Sequence, residues 1–311
     1  MNIASAGPLY CIWLRGLRKP VGTLRGEIGK SLAWLSLAAF VLGMITGGIL
    51  LFMPSSTDLT TAMSRFPARA FYIAGGELAF TFICLLIYAA CWKKLGNRPL
   101  LHAIFPILAS TNLLYHFPPM MAVIGKLASN PKWTTTTVID RPAFLKLMAH
   151  SEVLSLTVHF TLASVAVAAL VLFELYARQS QTQEPSLKEP RQEEGKRIVR
   201  TAAIVALIVS ALQLAVGIWI LSAIPGQARN ALMGGDLTAS LLLVGGMLMT
   251  FVFLQHLAGV ALGDLRPQVL RRVCLLLVIL VLMMTATLRA TRIAKASLTA
   301  SLQTKTAVEL A

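Results

Sequence analysis

Residues 31–57 read SLAWLSLAAFVLGMITGGILLFMPSST and contain no Asp, Glu, Lys or Arg. A helix needs about 20 apolar residues to cross the hydrocarbon core of a bilayer, so this run is long enough to span a membrane. The whole chain of 311 residues has the same character, with 56% hydrophobic and 13% charged residues. Soluble domains carry about 25% charged residues. The composition therefore excludes a soluble globule, and its hydrophobicity excludes a disordered chain.

Seven long apolar runs occur along the chain, and each predicts a transmembrane helix. They are Ser31–Thr57, Ala70–Trp92 (interrupted only by Glu77), Pro99–Gly125, Val153–Phe173, Thr201–Ala228, Leu237–Gly263 and Val273–Leu288. The predicted fold is an all-α, polytopic bundle of about seven transmembrane helices. Its predicted divisions are a basic N-terminal segment (1–30), helices one to four (31–177), a flexible linker (178–200), helices five to seven (201–289) and a C-terminal tail (290–311).

The distribution of basic residues predicts the orientation, because loops rich in Lys and Arg stay on the cytoplasmic side. With the N-terminus inside, the N-terminal segment and the second, fourth and sixth loops hold 17 of the 28 Lys and Arg residues. We therefore predict a cytoplasmic N-terminus in a bacterial-type cytoplasmic (inner) membrane, with the side of the C-terminal tail left open. The formal net charge of +15 is interpreted as charge flanking the spans, so we expect the lipid bilayer and no nucleic acid as a partner.

Ionisable groups inside the spans are the most informative residues, because they are costly in a bilayer. Glu77 precedes the centre of the second run by four residues, His116 follows the centre of the third by four, and His159 precedes the centre of the fourth by four. Since successive helices alternate in direction, all three fall about 6 Å to the outer side of the midplane. They form a candidate site, in which Glu77 is the predicted catalytic, proton-accepting group.

His102 and His116 are fourteen residues apart on the third span, which places them on one helix face about 21 Å apart. This spacing resembles that of the haem-ligand histidines in the diheme cytochrome b subunits of quinol-oxidising respiratory complexes. The resemblance covers one helix and implies a haem near each membrane surface. His116 and His159 would then be axial ligands of the outer haem, and His102 with His256 a looser inner pair.

Three interpretations of this histidine set remain open at this point. The first is an electron-transfer subunit with haem b that exchanges electrons with quinone and with other membrane or electron-transfer subunits, since two neutral imidazoles bind b-type haem iron. The second uses Glu77, His116 and His159 as a metal or proton site of a transporter or channel. In the third, each histidine makes an interhelical hydrogen bond in a non-catalytic membrane subunit. No nucleotide-binding, c-type haem or zincin motif occurs, so the choice of enzyme or non-enzyme stays open.

Overall fold

The computed structural model describes residues 1–16, 23–53, 57–95, 97–130, 132–181 and 188–309. Within these ranges every regular element is helical, and a π-helical turn lies at Ala231–Gly235. The α-helices are α1 (Asn2–Arg15), α2 (Leu24–Leu51), α3 (Thr57–Ser64), α4 (Ala68–Ala90), α5 (Trp92–Leu95), α6 (Pro99–Ser129), α7 (Arg141–Met148), α8 (Ser151–Gln181), α9 (Lys188–Ala223), α10 (Gly226–Asn230), α11 (Leu237–Leu262) and α12 (Pro267–Glu309).

Seven of these helices are long and apolar enough to cross a membrane, which confirms the predicted fold class. Their membrane-spanning parts are Leu24–Leu51, Ala68–Ala90, Pro99–Ser129, Ser151–Arg178, Arg191–Ala223, Leu237–Leu262 and Pro267–Thr291. The chain is thus an integral membrane protein. We call the end of the bundle near Arg15, Trp92 and Lys196 the basic end and the opposite end the cap end. The cytoplasmic location of the N-terminus stays a prediction.

The first and last spans have different boundaries from those predicted. Helix α2 begins at Leu24 because the Thr23 hydroxyl accepts a hydrogen bond from the Gly26 amide and caps the helix. The last apolar run had only 16 residues, but α12 continues beyond it in both directions. The membrane-spanning part of α12 has 25 residues, which is about 38 Å of helix. This helix is therefore long enough to cross a bilayer, although charged residues lie at both ends of the predicted 16-residue run.

The N-terminal segment contains a helix, α1, and its predicted cytoplasmic location stays a prediction. Helix α1 packs inside the bundle, antiparallel to α2 and against α6 and α8. At the basic end, the Cys11 thiol donates to the Gly29 carbonyl, and farther along α2 the Ser36 hydroxyl donates to the Ile3 carbonyl. Small residues allow this close approach: a Cβ added to Gly7 would lie 2.4 Å from the Ser36 Oγ. A helix of 14 residues is too short to register as a span, which is why hydropathy alone missed it.

Most of the segment predicted as a flexible linker, 178–200, is helical, and residues 182–187 of it lie outside the described residues. Helix α9 starts at Lys188, and its charged first turns bind the start of α2. Arg191 pairs with Glu27 at 3.1 Å, and Arg25 pairs with Glu194 at 3.2 Å. These ion pairs and the helix-forming Glu, Gln, Lys and Arg residues explain a helix where polarity and prolines suggested a linker.

The cap end carries a second, smaller apolar core beneath α3, α7 and the connection between α6 and α7. Ile139 lies in this core, and its amide donates to the Arg65 carbonyl at 2.8 Å. Arg65 in turn donates to the Thr134 and Thr136 carbonyls, so the connection is fastened to the end of α3. Asp140 caps α7 through the Ala143 amide. The connection is therefore held against the end of α3 and packs on the same small core.

Candidate functional site

Glu77 on α4 and His116 on α6 form the centre of the candidate site. The Glu77 Oε2 lies 3.5 Å from the His116 Nδ1, and α4 and α6 pack along each other. Both residues lie within spanning helices, so their polar atoms are surrounded by apolar segments. At this separation the carboxylate and the imidazole can interact electrostatically, which offsets part of the cost of placing polar groups in such surroundings. The structure thus brings together two of the three residues that the sequence placed at one depth.

Two further polar side chains extend this pair along the helix interface. The Asn112 amide donates hydrogen bonds to the Glu77 carbonyl and to the Thr81 Oγ1, each at 2.8 Å. Thr81 is fully buried, one turn from Glu77 on α4, and Asn112 is one turn from His116 on α6. Because residues four apart share a helix face, the two helices present two polar pairs to each other. We call Glu77, Thr81, Asn112 and His116 the polar quartet.

The polar quartet opens onto the surface of the bundle at His116. The His116 side chain is 44% exposed and that of Glu77 28% exposed, and the Tyr115 ring stands edge-on to the imidazole at 4.7 Å. Pro118 and Pro119 follow in the same helix and lack amide hydrogens, so the helix leaves the Leu114 and Tyr115 carbonyls without their usual donors. The imidazole of the site therefore lies at the outer surface of the bundle rather than in its core.

His159, the third residue of the predicted set, lies on α8 apart from the polar quartet. Its Nδ1 is buried and has no hydrogen-bond partner in the described part of the chain, while its carbonyl accepts a bond from Gln213 at 3.4 Å. Among the described residues, no three His, Cys, Asp or Glu side chains lie close enough to hold a metal ion. Glu77, His116 and His159 therefore do not assemble the alternative two-histidine, one-carboxylate set. Residues at the same depth in the membrane need not point toward each other, because depth does not fix which face of a helix meets which neighbour.

His102 belongs to an aromatic cluster near the basic end. Its Nε2 lies 3.3 Å from the Tyr88 hydroxyl, its ring stacks on Tyr88 at 5.1 Å, and the Trp92 ring stands edge-on to it at the same distance. Arg15 of α1 covers Trp92, with the guanidinium 5.6 Å from the ring centre and a 3.1 Å hydrogen bond to the Trp92 carbonyl. The Tyr88 hydroxyl thus occupies the Nε2 through which His102 would bind haem iron.

His256 on α11 is the remaining histidine of the predicted inner pair. Its Nδ1 donates to the carbonyl of Val252 in its own helix at 3.0 Å, which fixes the tautomer because a carbonyl only accepts. Helix α11 packs on α9 and α12, whereas α6 packs on α1, α3, α4 and α8. No contact between His102 and His256 occurs among the described residues, so this arrangement does not fit a haem held by the inner pair.

Sequence reasoning missed the residues that surround the candidate histidines. They are ordinary residues in apolar or flanking stretches: Thr81 in the polar quartet, Tyr115 beside it, and Tyr88, Trp92 and Arg15 around His102. One signal was present: Glu77 and Thr81, like Asn112 and His116, are spaced by four, which predicts two polar pairs on helix faces. No family model, curated protein or solved structure matches this chain, so the argument for function rests on this geometry.

Proposed function

We propose that this integral membrane protein takes up and releases protons at Glu77 and His116, as part of proton-coupled transport across the membrane. The observation that carries the proposal is the 3.5 Å pair of carboxylate and imidazole within spanning helices, with the imidazole 44% exposed. Ionisable side chains in spans commonly mark proton or ion pathways, because a bilayer makes them costly for packing alone. The protein is then a transporter or channel rather than a scaffold.

The chemistry of the pair suits reversible proton binding. With one proton the pair carries no net charge, either as imidazolium and carboxylate or as imidazole and carboxylic acid. A second proton leaves it positive, and loss of the first leaves it negative, so each proton bound or released changes the net charge of the pair. The Asn112 amide holds the Glu77 carbonyl and keeps α4 in register with α6, and it leaves the Glu77 side-chain oxygens to the imidazole. Exposed His116 is the route by which the proton enters or leaves.

Infrared difference spectroscopy of the reconstituted protein tests this proton site. Acidification is expected to produce a carboxylic-acid C=O band that disappears in Glu77→Gln. In His116→Phe the dependence of this band on pH should change, because the carboxylate loses the imidazole that lies 3.5 Å from it. Proton movement into vesicles, followed with an enclosed pH-sensitive dye, should be abolished by Glu77→Gln.

Glu174→Gln is the matched control, since Glu174 is 45% exposed and forms an i,i+4 pair with Arg178. It should leave both the band and the dye signal unchanged. A C=O band that survives in Glu77→Gln, or an unaltered titration in His116→Phe, would contradict the proposed site.

A second candidate function is electron exchange with quinone through haem b, held by His116 and His159. The observation in its favour is the direction of His116. Its Nδ1 faces Glu77, and its Nε2 makes no hydrogen bond within the described residues. Metal-bound histidines commonly donate their other N–H to a carboxylate. His159 adds a buried Nδ1 that has no hydrogen-bond partner among the residues with described positions. Haem bound there would supply one-electron chemistry, while Glu77 would orient the His116 ring and accept a proton.

A reduced-minus-oxidised absorption spectrum of the purified protein tests the second candidate. His116→Ala and His159→Ala should each remove the same spectral component, because six-coordinate iron needs both ligands. His256→Ala is the control and should leave that component in place, since the His256 Nδ1 binds its own helix. Absence of any haem component in the wild-type protein would reject this candidate and leave the proton site unaffected.

A further inference from the structure

An apolar crevice of about 220 Å³ lies between α1, α8 and α9 in the half of the bundle nearer the basic end. The residues that line it include Leu9, Tyr10 and Trp13 of α1, Val165 of α8, and Thr201 and Val205 of α9. The deeper part of the crevice is apolar. The Tyr10 hydroxyl lies there, but it already donates a hydrogen bond to the Val165 carbonyl at 3.2 Å. A crevice with such walls is filled by hydrocarbon rather than by water.

Polar donors stand at the mouth of this crevice, toward the basic end. Trp13 and Thr201 lie nearer that end than Tyr10 and Val205, and neither the Trp13 indole nor the Thr201 hydroxyl makes a hydrogen bond within the described residues. Arg197 precedes Thr201 by four residues, which puts it on the same face of α9 directly beyond the mouth. Its side chain is exposed, and it makes no ion pair within the part of the chain that the structure describes.

The two acidic residues of this region whose side chains the structure describes, Glu193 and Glu194, have cationic partners. Glu193 binds Lys196 at 2.7 Å, and Glu194 binds Arg25 at 3.2 Å. Arg25 also stands over the Trp13 ring, 5.8 Å from its centre. Arg197 lies close enough to Glu193 to interact with its charge, but it makes no ion pair with it in the described structure. Its guanidinium can therefore still meet an anionic ligand, next to an indole and a hydroxyl that can each donate a hydrogen bond.

We propose that the crevice binds one anionic phospholipid, with an acyl chain along Tyr10 and Val205 and its phosphate at Arg197, Thr201 and Trp13. The apolar lining suits the chain, and the charge of Arg197 is complementary to a head group with net negative charge. Basic side chains at a membrane surface attract anionic lipids, and an indole at the interface presents a polar edge to the head group. The site is independent of the polar quartet, which lies between α4 and α6.

Native mass spectrometry of the full-length protein, released from detergent with equal amounts of phosphatidylglycerol and phosphatidylcholine, tests this site. We expect the wild type to retain one phosphatidylglycerol in preference to phosphatidylcholine. Arg197→Gln should lower that preference about fivefold, the effect of one basic side chain near an anionic head group. Thr201→Trp should lower retention of both lipids, because the new ring fills the mouth from an exposed position.

Arg271→Gln provides the control, since Arg271 is an exposed arginine near the same end, on α12, and does not line the crevice. It should leave the preference unchanged, and circular dichroism should show equal helix content in all variants. Equal retention of the two lipids by the wild type would overturn the proposal. So would an Arg271→Gln variant that loses the preference as Arg197→Gln does, because the effect would then be that of a generally basic surface.

Discussion

Replacing Lys126 by methionine is expected to lower the free energy of unfolding by about 3–5 kcal/mol. Lys126 near the end of α6 forms an ion pair with Glu152 of α8, and the two side chains are only 17% and 12% exposed. Without the ammonium, the Glu152 carboxylate is left buried and uncompensated, which is the costly way to break such a pair. A titration with sodium dodecyl sulfate in mixed micelles, followed by circular dichroism, measures the change.

The double variant Lys126→Met, Glu152→Leu separates this explanation from simple loss of contacts. It should recover most of the lost stability, because both charges and their desolvation penalty are removed together. Arg178→Gln is the matched control for an exposed pair: Arg178 and Glu174 are 74% and 45% exposed, so little change is expected. If the double variant is as unstable as Lys126→Met, the ion pair is not the cause.

Gly29→Ala is expected to destabilise the bundle by about 1–3 kcal/mol, the usual cost of overpacking a core. A Cβ at Gly29 would lie 2.7 and 2.9 Å from two carbons of the Trp92 ring, closer than carbon atoms pack. Trp92 has no free space to move into, because it is 3% exposed and touches Tyr88, His102 and Arg15. The same detergent titration measures the loss.

Gly47→Ala on the same helix is the control, since no atom lies within 4 Å of the added methyl group. It should not destabilise the protein, and the higher helix propensity of alanine favours a small gain. Equal stability of the two alanine variants would mean that α2 and Trp92 do not approach as closely as described.

The candidate site shows how far depth alone predicts contacts. Counting residues from the centre of each apolar run placed Glu77, His116 and His159 at one level, and Glu77 and His116 do meet. His159 does not join them, because hydropathy fixes height along a helix and not the direction of a side chain around it. The same limit applies to His102: its spacing from His116 was correct on one helix, yet its neighbours Tyr88 and Trp92 come from elsewhere in the chain.

The sequence by itself determined that this protein is a helical bundle with seven spans. Each crossing of a bilayer requires about 20 apolar residues in helix, and a charge-free run of that length is visible in the sequence. Only the tertiary structure decided that α1 enters the bundle, that Glu77 faces His116 and that Arg15 closes over Trp92. Inside a bilayer every helix face is apolar whether it meets lipid or protein. The pairing of faces is therefore fixed by small residues, close packing and a few polar contacts between distant parts of the chain.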